Sequence, residues 1–481
     1  MKTNTSIRFL ILGLTLTAPL AVHAQGPLSP PPFGSLPASD EALDSTGAPK
    51  ISMKTLTQTD PGQPIPSLDP GAIDLNGSGP AYTITTPGHY FLTQDLVGDK
   101  PIVIDVEGVT IDLRGFEMRY VPGGAGAPPV AITSGASGID LGRITVKNGR
   151  IVGGWTEGVH LGGQSLVRDL QVAGIETFGI YVGGTSRVAD CQVKGPQVDP
   201  EPGGPVTPGP HSGIWAGSCS VITGSTAHGI LGKGIETDTG STIENCTACG
   251  NVGCGIVGGK GNTVRGSTAR HNGSTGIDFG DGCSIADCVA SDNMTEGFKV
   301  RTGTTVQNSV ARCNGLDGFL AESVTGADGE QGVETAVNFL QCSASRNIGD
   351  GFRTGINTLF SHCTADHNGR DDGAPIDPDG PLMPPAPDGD GYDVADGSKL
   401  ENCVATHNFK HGVTGLRTNM IANCTVQSNA GFGVAVLTPE NVVVRNYIRD
   451  NVVGPINLAG GSIAPFELPS VGTNPHANYD F

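Results

Sequence analysis

Set in phase, four stretches decide the fold: TIENCTACGNVGCGI at residues 242–256, TVRGSTARHNGSTGI at 263–277, SIADCVASDNMTEGF at 284–298 and TVQNSVARCNGLDGF at 305–319. An asparagine recurs every 21 residues, at Asn251, Asn272, Asn293 and Asn314, and each is followed four positions later by Gly255, Gly276, Gly297 or Gly318. A fixed period near 20 with such punctuation signals a solenoid in which each repeat is one coil stacked on the last. The beat continues with Cys342 and Asn347, Cys363 and Asn368, Cys403 and Asn408, and Cys424 and Asn429. The spacings of 33 and 40 between ladder asparagines are 21 plus insertions of 12 and 19 residues. Upstream, Ser225, Cys191, Leu170 and Asn148 hold the cysteine position, while Gly234, Gly213, Gly179 and Gly158 hold the glycine position.

Inside a coil the pattern has period 2. Ile243, Cys246, Ala248, Asn251 and Ile256 face one way and Glu244 and Thr247 the other, which predicts strands of three or four residues separated by turns. Asparagine and glycine suit left-handed turns, and an inward asparagine stacked on its counterpart would satisfy turn amides otherwise buried without partners. With strands about 4.8 Å apart, 14 coils would make a rod on the order of 65 Å long.

The pattern I-x-N-C-x-A-x-x-N-x-x-x-G-[IF] resembles the repeat of right-handed parallel β-helix proteins of the pectate-lyase-like superfamily. Residues 88–116, GHYFLTQDL through IDLRGF, are similar to the opening coils of secreted bacterial members, mostly of unassigned activity, and residues 474–479, NPHANY, to their closing segment. The resemblance implies an all-β, single-stranded right-handed parallel β-helix of about 13–14 coils. It leaves function open, because that scaffold carries lyases, glycosidases, epimerases, phage tailspikes and non-enzymatic surface proteins.

At the amino end, Lys2 and Arg8 precede an apolar run from Phe9 to Leu20, and Val22, His23 and Ala24 follow it, which reads as a cleaved secretory signal over residues 1–24. Residues 25–50 read as a flexible leader, 51–101 as an N-terminal cap with the first strands, 102–457 as the β-helix and 458–481 as a C-terminal cap. Loss of Lys2 and Arg8 would take the formal charge from −19 to −21, which argues against nucleic acid as a general partner and fits an exported, periplasmic or cell-surface protein. Of twelve cysteines, seven occupy one repeat position, favouring a buried thiol ladder over a disulfide framework.

The register also predicts a shared outer face. Counting from the turn glycine, the outward row is His160, Tyr181, Trp215, Glu236, Val257, Asp278, Lys299, Leu320, Arg353, Asp393 and Thr414, with Asp238, Arg301 and Glu322 two positions further along. Aromatic groups at one end and mixed charges in the middle suit a polysaccharide groove, with His160, Tyr181, Trp215, Glu236, Asp278 and Glu322 as binding residues. The plainer account is a solvated sheet face laced with cross-strand ion pairs.

Two insertions, residues 196–212 and 369–390, fall between the ladder and the turn glycine, where they would wall that face. The second ends DGDGYD, so Asp388, Asp390 and Asp393 are candidate calcium ligands, although the EF-hand spacing and closing glutamate are absent. His367 and His407 hold equal positions on consecutive coils beside Asp366, the makings of a metal pair without a named third ligand.

Three readings of function follow. Lys299 as base, with Arg301 or Arg353 neutralising a uronate carboxylate, would remove a C5 proton as polysaccharide lyases or epimerases do; β-helix lyases of the resembled superfamily use basic residues, often with calcium. Glu236 and Asp278, about 10 Å apart, would instead hydrolyse a glycoside, but the N-T-D, D-D, G-H-G and R-I-K set of polygalacturonases is missing. A non-catalytic glycan-binding solenoid is the third.

Overall fold

The computed structural model describes residues 63–65, 82–122, 129–135, 141–196, 211–322, 336–369, 389–458, 466–467 and 477–479. The expected signal, leader and most of the cap lie outside these residues. One coil shows the plan. The strand Thr242–Glu244 turns at Asn245 (φ 53°) into Thr247–Cys249, turns again at Gly250 (φ 63°), passes the ladder Asn251 and Gly255, and forms Ile256–Gly258 before a third corner at Gly261 (φ 66°). Each strand pairs in parallel with its counterpart in the next coil: Ile243 with Val264, Ala248 with Ala269, and Ile256 with Ile277. The result is a prism with three rows of strands and about 15 turns, without helix among the described residues.

The third row is one parallel sheet of 16 strands, from Tyr82–Ile84 to Gly454–Leu458. The other two rows merge through the eight-residue strands Thr145–Val152 and Leu166–Ala173, which run through a corner and pair with both. There the register shifts by one from the sequence expectation. Leu170 lies opposite Gly149, and Asn148 is the left-handed corner residue before it (φ 58°).

The interior is apolar and close-packed. Phe298, Phe319, Phe352 and Tyr392 stack in sequence at 4.7, 4.8 and 4.9 Å, and the Tyr392 hydroxyl donates to the Val404 carbonyl. Cys191, Cys246, Cys288, Cys342, Cys363, Cys403 and Cys424 are all buried free thiols, as the repeat position predicts. Burial pushes the Cys191 thiol up to about 12 and those of Cys246 and Cys288 to about 11, so they act as small apolar side chains.

Stacking bare corners would strand their amides, and inward side chains answer that. Asn251 Nδ2 donates to Asn272 Oδ1 (2.9 Å), which also accepts the Asn251 backbone N–H (3.2 Å). The same pair of bonds repeats through Asn293, Asn314, Asn347, Asn368, Asn408 and Asn429 to Asn451, crossing both insertions without a missing rung. A second ladder, Ser165, Ser186, Ser220, Ser241, Asn262, Cys283 and Thr304, does the same at the third corner.

The left-handed conformation belongs to the residue before each ladder asparagine, such as Gly250, His271 and Asp292, and not to the asparagine itself. Nor is Gly255 left-handed. A Cβ there would lie 2.6 Å from the Gly276 carbonyl oxygen and 2.7 Å from Asn272 Nδ2, so close approach of the ladder excludes any side chain.

Replacing a central ladder member removes four bonds at once. Asn293→Ala is expected to destabilise by about 3 kcal/mol, since buried groups left unpaired cost roughly 1–3 kcal/mol each, and to lower the thermal midpoint by several degrees. An unchanged midpoint would contradict the ladder's role.

Candidate functional site

Cross-strand pairing fixes the outer face of the 16-stranded sheet. His160, Tyr181, Trp215, Glu236, Val257, Asp278, Lys299, Leu320, Arg353, Asp393 and Thr414 lie opposite one another in unbroken succession. Each comes from a strand two residues past a close-approach glycine, with its neighbours on either side pointing into the core.

At the aromatic end the rings stack on one another. His160 and Tyr181 are 4.2 Å apart and Tyr181 and Trp215 are 4.3 Å apart at 7°, with the Phe178 edge against Tyr181. Rung spacing imposes this. Both faces of Tyr181 are covered, and Tyr181 and Trp215 are half-buried, so the stack offers ring edges to the surface where the sequence suggested open faces. His160 Nδ1 meets Glu157 at 2.6 Å, and Glu236 accepts from Lys233 at 2.6 Å and from the Ser212 hydroxyl.

The centre is an ion-pair network. Lys299 Nζ and an Arg301 terminal nitrogen converge on one oxygen, Glu322 Oε2, at 3.2 and 3.4 Å, while the other arm of Arg301 meets Asp278 Oδ1 at 3.5 Å. Burial raises the proton affinity of Asp278 from its ordinary value, with Arg301 and Lys299 opposing that rise. Glu236 and Asp278 are separated by the Val257 rung, about 10 Å apart along the sheet and beyond the inverting range.

Arg353 belongs to a different group. Its guanidinium faces Asp317 (3.6 Å), Asp393 (3.7 Å) and Asp350 (4.0 Å), and the Leu320 rung separates it from Lys299. Asp317, Asp350 and Asp390 each precede a close-approach glycine on consecutive coils and form a carboxylate ladder. Asp317 Oδ1 accepts the Asp350 N–H, Asp350 Oδ1 those of Gly389 and Asp390, and Asp390 Oδ1 that of His411. Sequence reading missed Asp317 and Asp350. Their signal was an aspartate at glycine minus one in three consecutive coils. The ladder adjoins Gly369 and Gly389, which pack against each other.

The calcium expectation does not fit this arrangement. Asp390 is buried, and its second oxygen accepts from Thr414 (2.9 Å) and faces Lys410 at 3.4 Å, while Asp393 faces Arg353. Each of these two carboxylates faces a cationic side chain; Asp388 lies outside the described residues.

Asp350 is the most perturbed of these carboxyls. It is fully buried, Oδ2 has no hydrogen bond, and burial followed by the charges of Asp317, Asp390 and Asp393 pushes it up to about 8. The half-exposed Arg353, at 4.0 Å, does not offset this. Because the folded chain holds this proton more tightly than the unfolded chain, the associated stability is complete below the ordinary value of 3.8 and is lost as pH rises through about 8. Asp350→Asn, which keeps the Oδ1 acceptor, should raise the melting midpoint by about 2 °C or more at pH 8.5 and little at low pH. Parallel melting curves across that range would contradict the assignment.

Comparison with known proteins was consistent with the geometry. The profile described as right handed beta helix region matches residues 157–326 and again 324–468. No curated protein sequence matches the chain. Among solved structures, the Azotobacter vinelandii mannuronan C-5 epimerase AlgE4 A-module is 14% identical, with 79% of this chain and 91% of that chain covered and a TM-score of 0.42. The periplasmic alginate epimerase AlgG is 13% identical over 71% of this chain and 76% of its own, TM-score 0.38, and pectate lyase Pel9A is 17% identical over 63% and 70%, TM-score 0.33. The two profile matches together take in most of the coils, and the chain belongs to the right-handed parallel β-helix family.

Proposed function

We propose that the protein binds a uronate-bearing polysaccharide along the outer face of its 16-stranded sheet. One observation carries this reading: Lys299 and Arg301, on one strand and the turn that follows it, aim at a single carboxylate oxygen, that of Glu322. Two cations converging on one oxygen make a cradle for a carboxylate, and Glu322, whose side chain is 42% exposed, is a displaceable occupant. A sugar carboxylate entering the strip exchanges with Glu322 and leaves its glutamate to water. The parallel rungs supply a track for an extended chain, with the Trp215 edge toward one end and Arg353 toward the other. An exported location suits such a partner. The described residues contain no helix long and apolar enough to cross a membrane.

Turnover as a lyase or epimerase is the second reading, and Asp278 favours it. Burial shifts Asp278 toward its protonated form, and it lies one rung from Lys299, so a carboxyl and an amine flank the place of a bound sugar. Lys299 would take the C5 proton, Arg301 would neutralise the uronate carboxylate, and Asp278 would protonate the departing O4 or the opposite face of C5. The base role requires the neutral amine form of Lys299.

The experiment is equilibrium binding of polygalacturonate and alginate oligomers, with absorbance of the unsaturated product followed in parallel. Lys299→Ala and Arg301→Ala should each weaken binding about 10-fold or more, a charged hydrogen bond being worth about 1.5–3 kcal/mol. Glu322→Gln should tighten it several-fold by emptying the cradle. Failure of wild type and Glu322→Gln alike to bind any uronate polymer would overturn the proposal. Binding without chromophore or epimerised product would leave a glycan-binding module.

A further inference from the structure

We propose that Asp366, His367 and His407 form a binding site for a divalent first-row transition-metal ion, Zn2+ being the simplest case, that clamps two consecutive coils together. The site lies apart from the sheet face discussed above, at the corner preceding the ladder asparagine. His367 and His407 are both left-handed corner residues, with φ of 55° and 54°, so the backbone presents their side chains in the same direction one rung apart. Their rings stack at 4.7 Å and 13°.

Both Nδ1 atoms approach the same oxygen, Asp366 Oδ1, at 2.8 Å from His367 and 3.5 Å from His407. The three ligand atoms lie within 4.8 Å of one another, and among the described residues no other three histidine, cysteine or acidic side chains come so close. A tetrahedral ion bound at 2.0–2.2 Å would set its ligand atoms roughly 3.4 Å apart, a spacing the two distances bracket. Thr406 donates to Asp366 Oδ1 at 2.8 Å and orients the carboxylate, the usual part of an outer-shell partner.

His367 Nδ1 is closed to solvent and faces the Asp366 carboxylate oxygen at 2.8 Å, the same oxygen that His407 Nδ1 faces. A metal ion uses both Nδ1 lone pairs and the carboxylate at once. Two imidazole nitrogens and one carboxylate oxygen suit zinc, copper or nickel and not calcium or magnesium. The rings are 41% and 49% exposed, so an ion can enter and water can complete its shell. A clamp here joins Asn368 and Asn408, the neighbouring rungs separated by the longest insertion in the ladder.

The test is calorimetric titration of the metal-stripped full chain with Zn2+, together with the Cu2+ electron paramagnetic resonance spectrum. One ion should bind per chain and raise the thermal midpoint, and the Cu2+ signal should show coupling to two nitrogens. His367→Asn and His407→Asn, chosen because asparagine tolerates the left-handed backbone, should each weaken Zn2+ binding at least about 10-fold. His271→Asn, at the equivalent corner of another coil, should leave it unchanged. Absence of Zn2+ binding up to roughly 100 µM, coupling to fewer than two nitrogens, or undiminished binding in both ligand variants would overturn the proposal. The wild-type copper spectrum decides the matter even if a variant fails to fold.

Discussion

Everything in this molecule depends on how the corners of the coil dispose of their backbone amides. Three turns per coil, repeated through about 15 turns, bring many N–H groups to the inside of the rod, where no water can serve them. The chain answers with side chains borrowed from the next coil. Asn272 serves Asn251, Ser220 serves Ser186, and Ser267 serves Cys246. Each rung is therefore complete only when its neighbour is in place, which enforces one phase along the rod and explains why insertions of 12 and 19 residues leave the ladder uninterrupted.

That enforced phase also builds the outer face. Side chains 21 to 40 positions apart become neighbours at the rung spacing, and the spacing itself decides what they do. Rings at consecutive rungs stack on each other and surrender their faces, as Tyr181 does between His160 and Trp215. Charges at consecutive rungs find partners, as Lys299 and Arg301 find Glu322. On the proposed reading, binding at such a surface is a matter of exchange, in which a ligand replaces an internal partner of equivalent chemistry.

The coil was legible because its period is carried by residues with no substitute. Asparagine offers both a donor and an acceptor at this ladder, and glycine fits against it where a Cβ would clash. The outward row followed from counting two residues past that glycine, so the neighbours of Lys299 were readable before any coordinates. What the sequence did not disclose was partnership. Arg353 looked like a companion of Lys299 in the row, but Asp317 and Asp350, hidden at another repeat position, draw it into a separate acidic group. Asp390 looked like a calcium ligand until its oxygens proved committed to His411, Thr414 and Lys410. At Asn148 a strand that runs through its corner displaced the register by one, which periodicity cannot register.

The central claim is that this one face, and not the other two, meets the polysaccharide. Amide hydrogen exchange of the intact chain with and without saturating uronate oligomer tests it most directly. The account predicts added protection confined to strands of the 16-stranded sheet between Ser212–Ala216 and Phe352–Thr354. Protection along the rows containing Thr242–Glu244 or Thr247–Cys249, or none anywhere, would contradict it.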